Sequence, residues 1–443
     1  MSNSKSKVLI LGGGFGGLYA ALAFDKHLKT RSDIEVTVVN RDNFFLFTPM
    51  LHEVAASDLD LTNIVIPGRK VLKRVQYFTG DVINIDGPRK LVTVSHGFDS
   101  HSHEMPYDHL VLALGSVTNF FQLPGLEERA LTMKTLGDAI KLRNLLIQHL
   151  EEADSECAAT DREPLLTFVV AGGGFAGVET VAGINDFIRD ALPNYRNLKE
   201  DMLRVVLVHP GEHILPELGI ELGSYADEKL RERKVEIKER CRVASVDKNF
   251  VQISDGTQIQ CKTLIWTAGT SPHPVLESVP AAKEKGLIRV NEFLEVLDCP
   301  GVWALGDCAA IPDLTTGKYC PATAQHASRQ GTILASNILA TISGTTMKPF
   351  KFATLGSLAA IGRRSGVAQI LGLRFSGFIA WFLWRTIYLL KLPTLEKKVR
   401  VAWDWTLDLV FKKDFVQYLV TRAPAISQPD VDVNCLVRDE CQG

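Results

Sequence analysis

Six glycines carry the first chemical signal. Gly12, Gly14 and Gly17 follow the apolar run Val8-Leu-Ile-Leu11, and Gly172, Gly174 and Gly177 follow Leu166-Thr-Phe-Val-Val170 with the same spacing, 160 residues later. Glycines spaced this way between a strand and a helix allow a tight turn, let the backbone approach a pyrophosphate, and let the helix pack closely on the strand. The phosphates then sit at the helix N-terminus, where free N–H groups and the helix dipole favour anions. Each copy has the elements it needs. Leu18–Phe24 reads as a helix and Ile34–Val39 as the next strand for the first; Val178–Ile188 and Leu203–Val208 do the same for the second. One triplet alone is a weak signal, but two in the same setting predict two dinucleotide sites.

Other segments must build the sheets around these turns. Tyr107–Gly115 and Lys262–Gly269 each pair a polar start with an apolar strand and a closing glycine, and read as returns to a parallel sheet. Between each turn and its return, Tyr77–Thr93 and Val243–Ile259 alternate like small antiparallel sheets, the second with a turn at Asp255-Gly256. In Gly301–Cys308 an apolar strand ends in Gly306-Asp307, with a helix from about Ala322. An aspartate at the carboxyl end of a strand in an open α/β sheet stands where ligands bind; the alternative is a turn or helix cap. The expected fold is α/β, with two Rossmann-like dinucleotide-binding domains and a C-terminal helical, membrane-associating region. The expected boundaries are 1–120 and 299–350 for the first domain, 121–298 for the second, and 351–443 for the C-terminal region.

Composition narrows the function classes. At 443 residues the chain holds about three domains. Its net charge of −2 argues against a generally basic nucleic-acid binder, so no nucleic-acid partner is expected. Eight cysteines without a CxxC pair argue against a disulfide scaffold or a zinc ribbon and suit a reducing cytosol. The opening MSNSKSKVLILGGG lacks the apolar stretch of a signal peptide. His96, His101 and His103, with His109 nearby, could suggest a metal. Ser95–Glu104 reads instead as an exposed hairpin loop, and no metal is expected. The acid-rich stretch Glu151–Glu163 reads as a surface loop.

The C-terminal part differs from the rest. Its most apolar stretch, Phe375–Leu392, is interrupted by Arg385, and the uncharged run Phe375–Trp384 has 10 residues where a membrane span needs about 20. From Arg363 to Lys413 ten basic residues stand against three acids, giving +7, and Trp381, Trp384, Trp403 and Trp405 fall here. Val399, Ala402, Trp403, Thr406, Leu407, Val410 and Phe411 follow helical spacing. A basic, tryptophan-bearing amphipathic helix pair fits an anionic membrane surface; a dimer or domain interface is the alternative.

Together these features resemble the two-dinucleotide-domain flavoproteins and, among them, the type II NADH dehydrogenases, single-chain NADH:quinone oxidoreductases that pump no protons. The resemblance is carried by Leu11–Leu18, Phe44–Ala55, Gly172–Glu179, Gly306–Ala309 and Thr323–Gly331. It implies FAD on Gly12, Gly14 and Gly17, with Phe15 and Gly16 in the same turn, and Asp307 on the flavin's ribityl or phosphate region. It implies NADH on Gly172, Gly174 and Gly177, with Gly115 and Gly269 closing the two returns at the cofactors. Glu179 would stand near where nicotinamide meets flavin, and Gln325, with Ala324, beside the isoalloxazine where quinone docks. Independently, Glu179 reads as a residue of a helix's first turn, where the dipole would favour a carboxylate.

The strands after the glycine turns depart from the pattern. Each should end in an acid that binds ribose hydroxyls, but the first ends in Asn40, whose amide can still bind a ribose, and the second in His209. No arginine follows His209 immediately, so NADH is preferred while NADPH stays open. The resemblance further implies a quinone partner, peripheral attachment at the cytoplasmic face of the cell membrane, and room for a homodimer. The rival readings are a disulfide reductase, which would need a close cysteine pair, a sulfide:quinone oxidoreductase using Cys157 and Cys320, and a flavin-bearing membrane redox adaptor.

Overall fold

In a computed structural model of the chain, residues 5–97 and 101–418 are described. They form two compact units, each assembled from separated stretches of chain. The first takes residues up to 47, 62–119 and 269–355; the second takes 48–61, 120–268 and the chain from 356.

The first unit is centred on strand Ser6–Leu11, whose aliphatic residues Val8–Leu11 are all buried, as a strand covered on both faces requires. Ile34–Asn40 lies parallel on one side, with Ser6 opposite Ile34, and His109–Leu112 lies parallel on the other. Gln76–Thr79 and Val302–Ala304 complete a five-stranded parallel sheet. Strands are added first on one side of Ser6–Leu11 and then on the other, so its carboxyl end is the switch point where such sheets bind ligands. Helix Ala324–Ser343 lies so close to helix Phe15–His27 that a Cβ on Gly331 would stand 2.3 Å from the Gly16 carbonyl.

The small antiparallel sheet of this unit is Asp81–Asp86, Leu91–His96 and His101–Pro106. It starts later than the alternation in Tyr77–Thr93 suggests, because Gln76–Thr79 is claimed by the parallel sheet. Its last turn corrects the loop reading of Ser95–Glu104. His96 pairs opposite His101, so strand pairing runs into the histidines; Phe98, Asp99 and Ser100 lie outside the described residues. Segment 269–298, expected in the second domain, belongs to this unit. Leu287–Arg289 pairs with Ala309–Ala310, and Leu276, Ile288 and Leu294 join the core that holds Trp303.

The second unit repeats the plan around Thr167–Ala171, which is wholly buried. Arg204–Val208 and Val235–Lys238 flank it on one side, Thr263–Trp266 and Leu131–Thr132 on the other, all parallel. The expected antiparallel excursion is present as Val243–Val246, Phe250–Ile253 and Gln258–Gln260. Its turn is set by Gly256, at φ +89°, and by the Thr257 N–H donating to Asp255 Oδ1 at 2.8 Å. The acid-rich stretch 151–163 is mostly helical. A Thr135–Asp138 capping box starts helix Leu136–Ser155, whose buried Leu142, Leu146, Leu150 and Ala153 carry it past Glu151, and helix Ala159–Leu166 follows.

The C-terminal part belongs to this second unit. It opens with an antiparallel sheet, Gly356–Ala360, Gly366–Ile370 and Leu373–Ser376, before helices Gly377–Lys391 and Leu395–Leu407. Among the described residues no helix is long and apolar enough to cross a membrane.

Candidate functional site

The two glycine turns share one geometry. Gly12 has φ +104° and Gly172 φ +117°, values only glycine adopts without strain. A Cβ on Gly17 would fall 1.8 Å from the Gly12 carbonyl oxygen, and one on Gly177 falls 1.8 Å from that of Gly172. Those glycines are fixed by close packing of helix on strand. The middle glycines differ, because a Cβ on Gly14 or Gly174 meets nothing within 4 Å. Each stands at the N-cap of its helix, Phe15–His27 or Phe175–Ala191, with no side-chain cap, so open space adjoins the helix end whose first-turn N–H groups have no partner within the helix. Such a cradle fits a pyrophosphate.

The residue ending the second strand behaves differently in the two units. In the first, Gly13 N–H donates to Asn40 Oδ1 at 2.8 Å, while Asn40 Nδ2 donates to the Asp42 carbonyl at 2.8 Å and lies 3.1 Å from the Tyr77 hydroxyl. Both ends of that amide are engaged within the unit. In the second, Gly173 N–H donates to His209 Nδ1 at 3.1 Å, and His209 Nε2 makes no well-formed hydrogen bond among the described residues.

The remaining candidates of the first unit lie in its turns and at the starts of its helices. Phe15 packs edge-on against Phe45 at 5.0 Å. Gly115 and Gly269 both take positive φ, and Asn119 N–H donates to the Gly269 carbonyl. Half-buried Asp307 accepts the Ser116 hydroxyl at 2.9 Å, and Gly306 N–H donates to Gln330 Oε1 at 3.0 Å. Helix Ala324–Ser343 starts behind the Thr323 cap, so Ala324 and half-buried Gln325 form its first turn, and the Gln325 carbonyl accepts from Arg329 at 2.8 Å.

Glu179 corrects its first-turn assignment. The helix begins at Phe175, so Glu179 lies in the second turn, facing inward. Its Oε1 accepts the Trp384 indole N–H at 2.9 Å and the Ala360 N–H at 3.1 Å, and its Oε2 lies 3.7 Å from His52 Nδ1. Burial pushes its carboxyl up to about 8, against the helix-dipole expectation. Glu53 is its counterpart. Its Oε2 accepts the Trp405 indole N–H at 3.1 Å, and burial pushes it too up to about 8. His52 is driven the other way, down to about 3, again by burial. At neutral pH this cluster therefore holds two carboxylic acids and an uncharged imidazole. Sequence reasoning found Glu179 but missed its partners, which lie far away along the chain.

The C-terminal tryptophans divide accordingly. Trp384 and Trp405 are 1% and 6% exposed and close the carboxyl cluster, with their rings 6.4 Å apart, whereas Trp403 is 63% exposed. Phe378, Ile379, Phe382, Leu395, Val399 and Val410 are exposed as well. Cys308 and Cys320 offer little for thiolate chemistry. Both are free thiols whose burial raises them to about 12 and about 11, far above the range of a reactive thiolate.

A family model described as pyridine nucleotide-disulphide oxidoreductase matches residues 6–331, and one described as NDH2 C-terminal domain matches residues 355–414. A probable NADH dehydrogenase of Dictyostelium discoideum is 32% identical over 420 residues, covering 93% of this chain and 91% of the relative. The type II NADH:quinone oxidoreductase Ndh of Mycobacterium tuberculosis is 31% identical over 455 residues, covering 99% of this chain and 95% of the relative. In fold, the chain is similar to the structure of NDH2 from Plasmodium falciparum in complex with NADH, at TM-score 0.86 and 21% identity, covering 93% of this chain and all of that one. A sulfide:quinone oxidoreductase from Aquifex aeolicus gives a TM-score of 0.68 at 17% identity, covering 92% of this chain and 96% of that one.

Proposed function

The chain belongs to the pyridine nucleotide-disulphide oxidoreductases and, within them, to the type II NADH dehydrogenases, and we propose how its own residues run that reaction. It carries electrons from NADH through FAD to a quinone, without proton pumping. The observation that carries the residue assignment is the duplicated cradle: two helix N-termini with the same positive-φ first glycine, the same packed last glycine and the same open middle one.

The first unit is the FAD-binding domain. Gly12, Gly14, Phe15, Gly16 and Gly17 present the N-terminus of helix Phe15–His27 to the pyrophosphate. Asn40 holds the turn in place through Gly13, and Asp307, oriented by Ser116, accepts hydrogen bonds from the ribityl side. When bound, FAD supplies the hydride-accepting and two-electron chemistry. Gly115 and Gly269 turn the main chain at the cofactor edge, and Ala324 and Gln325 offer the first turn of their helix to the quinone.

The second unit is the NADH-binding domain, with Gly172, Gly174 and Gly177 on the pyrophosphate. Glu179 serves the nicotinamide half. With Oε1 committed to two N–H donors, its proton resides on Oε2, so the site presents an uncharged acid at neutral pH.

The exposed apolar side chains of the C-terminal helices, with Arg374, Lys391, Lys398, Arg400 and Lys412 in the same region, bind an anionic membrane surface. The membrane is the cell membrane and the face is cytoplasmic, where NADH is made and a lipid-soluble quinone is within reach. Homodimerisation through the same apolar side chains is the competing use, and sedimentation with and without lipid separates the two.

The test is spectroscopic. Anaerobic NADH should bleach the bound flavin, and a quinone should restore the colour. Bleaching by sulfide and not by NADH would favour a sulfide:quinone oxidoreductase, and bleaching by neither would favour a redox adaptor.

A further inference from the structure

The ribose end of the second cradle is unusual in its charge. In sheets of this kind the residue closing the second strand reads the adenosine ribose, and an acid there accepts from the 2′-hydroxyl and repels a 2′-phosphate. Here that residue is His209, which is nine-tenths buried. Its ring is wedged between two glycines: a Cβ on Gly173 would fall 2.6 Å from its Cγ, and one on Gly211 would fall 2.6 Å from its Nε2. Its main chain is tied into the neighbouring strand, His209 N–H donating to the Lys238 carbonyl at 2.9 Å and Cys241 N–H to the His209 carbonyl at 3.1 Å.

The hydrogen bonding fixes what the ring can offer. Because Nδ1 accepts the Gly173 N–H, the proton of the neutral ring sits on Nε2. Burial lowers the ring's pKa, against the opposing pull of the His213 main chain, Glu239 and Glu217, so the imidazole is neutral at pH 7. Nε2–H is thus a buried donor that makes no well-formed hydrogen bond among the described residues, with only the His213 main chain drawing on it, and such a donor gains from meeting a better acceptor. A carboxylate would offer lone pairs and a negative charge; this ring offers a hydrogen and no charge.

The main chain of a cationic residue is bonded to the same turn. Arg240 is thirty-one positions on in sequence, yet its N–H donates to the Gly211 carbonyl at 3.0 Å, two residues past His209. Its guanidinium rests on Glu212 at 3.0 Å, with both side chains largely exposed. An exposed pair of this kind is weak, and a guanidinium binds phosphate through the same planar fork it uses for a carboxylate.

We propose, resting on the assignment of Gly172–Gly177 to the nicotinamide nucleotide, that this site takes NADPH as well as NADH, with the 2′-phosphate received by Arg240 beside the His209 Nε2–H donor. Glu212 is then the resident anion that the phosphate displaces, and it tempers the preference.

The test compares the two nucleotides on the FAD-loaded protein. The second-order rate of flavin bleaching by NADPH should fall within about tenfold of that by NADH, and calorimetry should give NADP⁺ and NAD⁺ dissociation constants equally close. H209E should lower the NADPH-to-NADH ratio by about tenfold or more, because it places a carboxylate beside the phosphate. R240A should weaken NADP⁺ far more than NAD⁺, and E212Q should shift the ratio toward NADPH. Retained flavin colour reports that H209E has folded, and the exposed positions 240 and 212 provide independent variants. A wild-type preference for NADH above about a hundredfold, or a ratio unmoved by H209E and R240A, would overturn the proposal. Failure of the electron-transfer reading would look different: neither nucleotide would bleach the flavin, while the calorimetric comparison would still decide the specificity.

Discussion

Trp384 donates its indole N–H to Glu179 at 2.9 Å, across 205 positions of sequence. This bond makes the C-terminal part of the chain a structural partner of the carboxyl group assigned to the nicotinamide half. W384F removes the donor and leaves a buried oxygen with one bond fewer, at a cost of about 1–3 kcal/mol. The expected result is a lower unfolding midpoint together with slower flavin reduction by NADH, read by denaturation and stopped-flow absorbance. An unchanged midpoint would mean that the bond contributes nothing.

The glycines of the second cradle should separate structure from binding. G177A drives a Cβ to 1.8 Å from the Gly172 carbonyl, so the helix must part from the strand, at about 3 kcal/mol or more. G174A meets open space and should cost under about 1 kcal/mol, yet it occupies the place where the pyrophosphate must come. G174A is therefore expected to stay folded and yellow while its NADH dissociation constant rises about tenfold or more. Normal NADH affinity in G174A would refute the cradle assignment.

Stability should carry the signature of the buried acids. Glu53 and Glu179 titrate near 8 in the folded chain against 4.5 when exposed, so between those values the native state holds protons that the unfolded state has released. Unfolding is then favoured as pH rises through that window, and the full penalty is present above about 8. His52 acts on the other side: it stays neutral down to about 3 and costs stability as pH falls below 6.5. E53Q should therefore gain on the wild type as pH is raised from 5 to 8.5, measured by denaturant midpoints. A constant difference across that range would show that Glu53 is ionised throughout.

Gln325 is assigned to the quinone half of the reaction. Q325L should slow reoxidation of the flavin by quinone about tenfold while affecting reduction by NADH less. Rapid-mixing measurements of the two half-reactions decide it, and equal slowing of both would count against the assignment.

Membrane attachment is best tested by replacing side chains one at a time. Deleting the chain from about 365 would remove Trp384 and Trp405 and open the carboxyl cluster, so loss of binding would follow from misfolding alone. F382S, V399S and W403S alter side chains that are 56–63% exposed. Each should weaken partitioning onto anionic vesicles by about tenfold, with salt weakening it further. Cosedimentation of the triple variant with vesicles at wild-type level would place the attachment elsewhere.

The cradles could be read from the sequence because their signal is local: three glycines within six residues, a strand before and a helix after. The same closeness explains what was misplaced. Counting the helix from Val178 puts Glu179 in its first turn, whereas the helix starts at Phe175 and turns Glu179 into the interior. Composition recognised a tryptophan-rich basic region but could not sort its tryptophans, since Trp403 and Trp405 share one helix yet face opposite ways. The partners Ala360, Trp384 and Trp405 had no local signal at all. Nor did Arg240, which only the pairing of Val235–Lys238 with Arg204–Val208 brings beside His209.

The Lys413 ammonium meets the Asp58 carboxylate at 2.5 Å and the Ala56 carbonyl at 3.2 Å, in an ion pair largely shut away from water. The two residues are 355 positions apart, 413 against 58. A ribosome that has already released the first strand, the glycine turn and most of both sheets still withholds the partner that Asp58 needs. The unit containing them must finish after translation has passed residue 413, and until then its acids wait without their indoles. Before that point Asp58 stands without its cation and that side of the second unit stays unsealed.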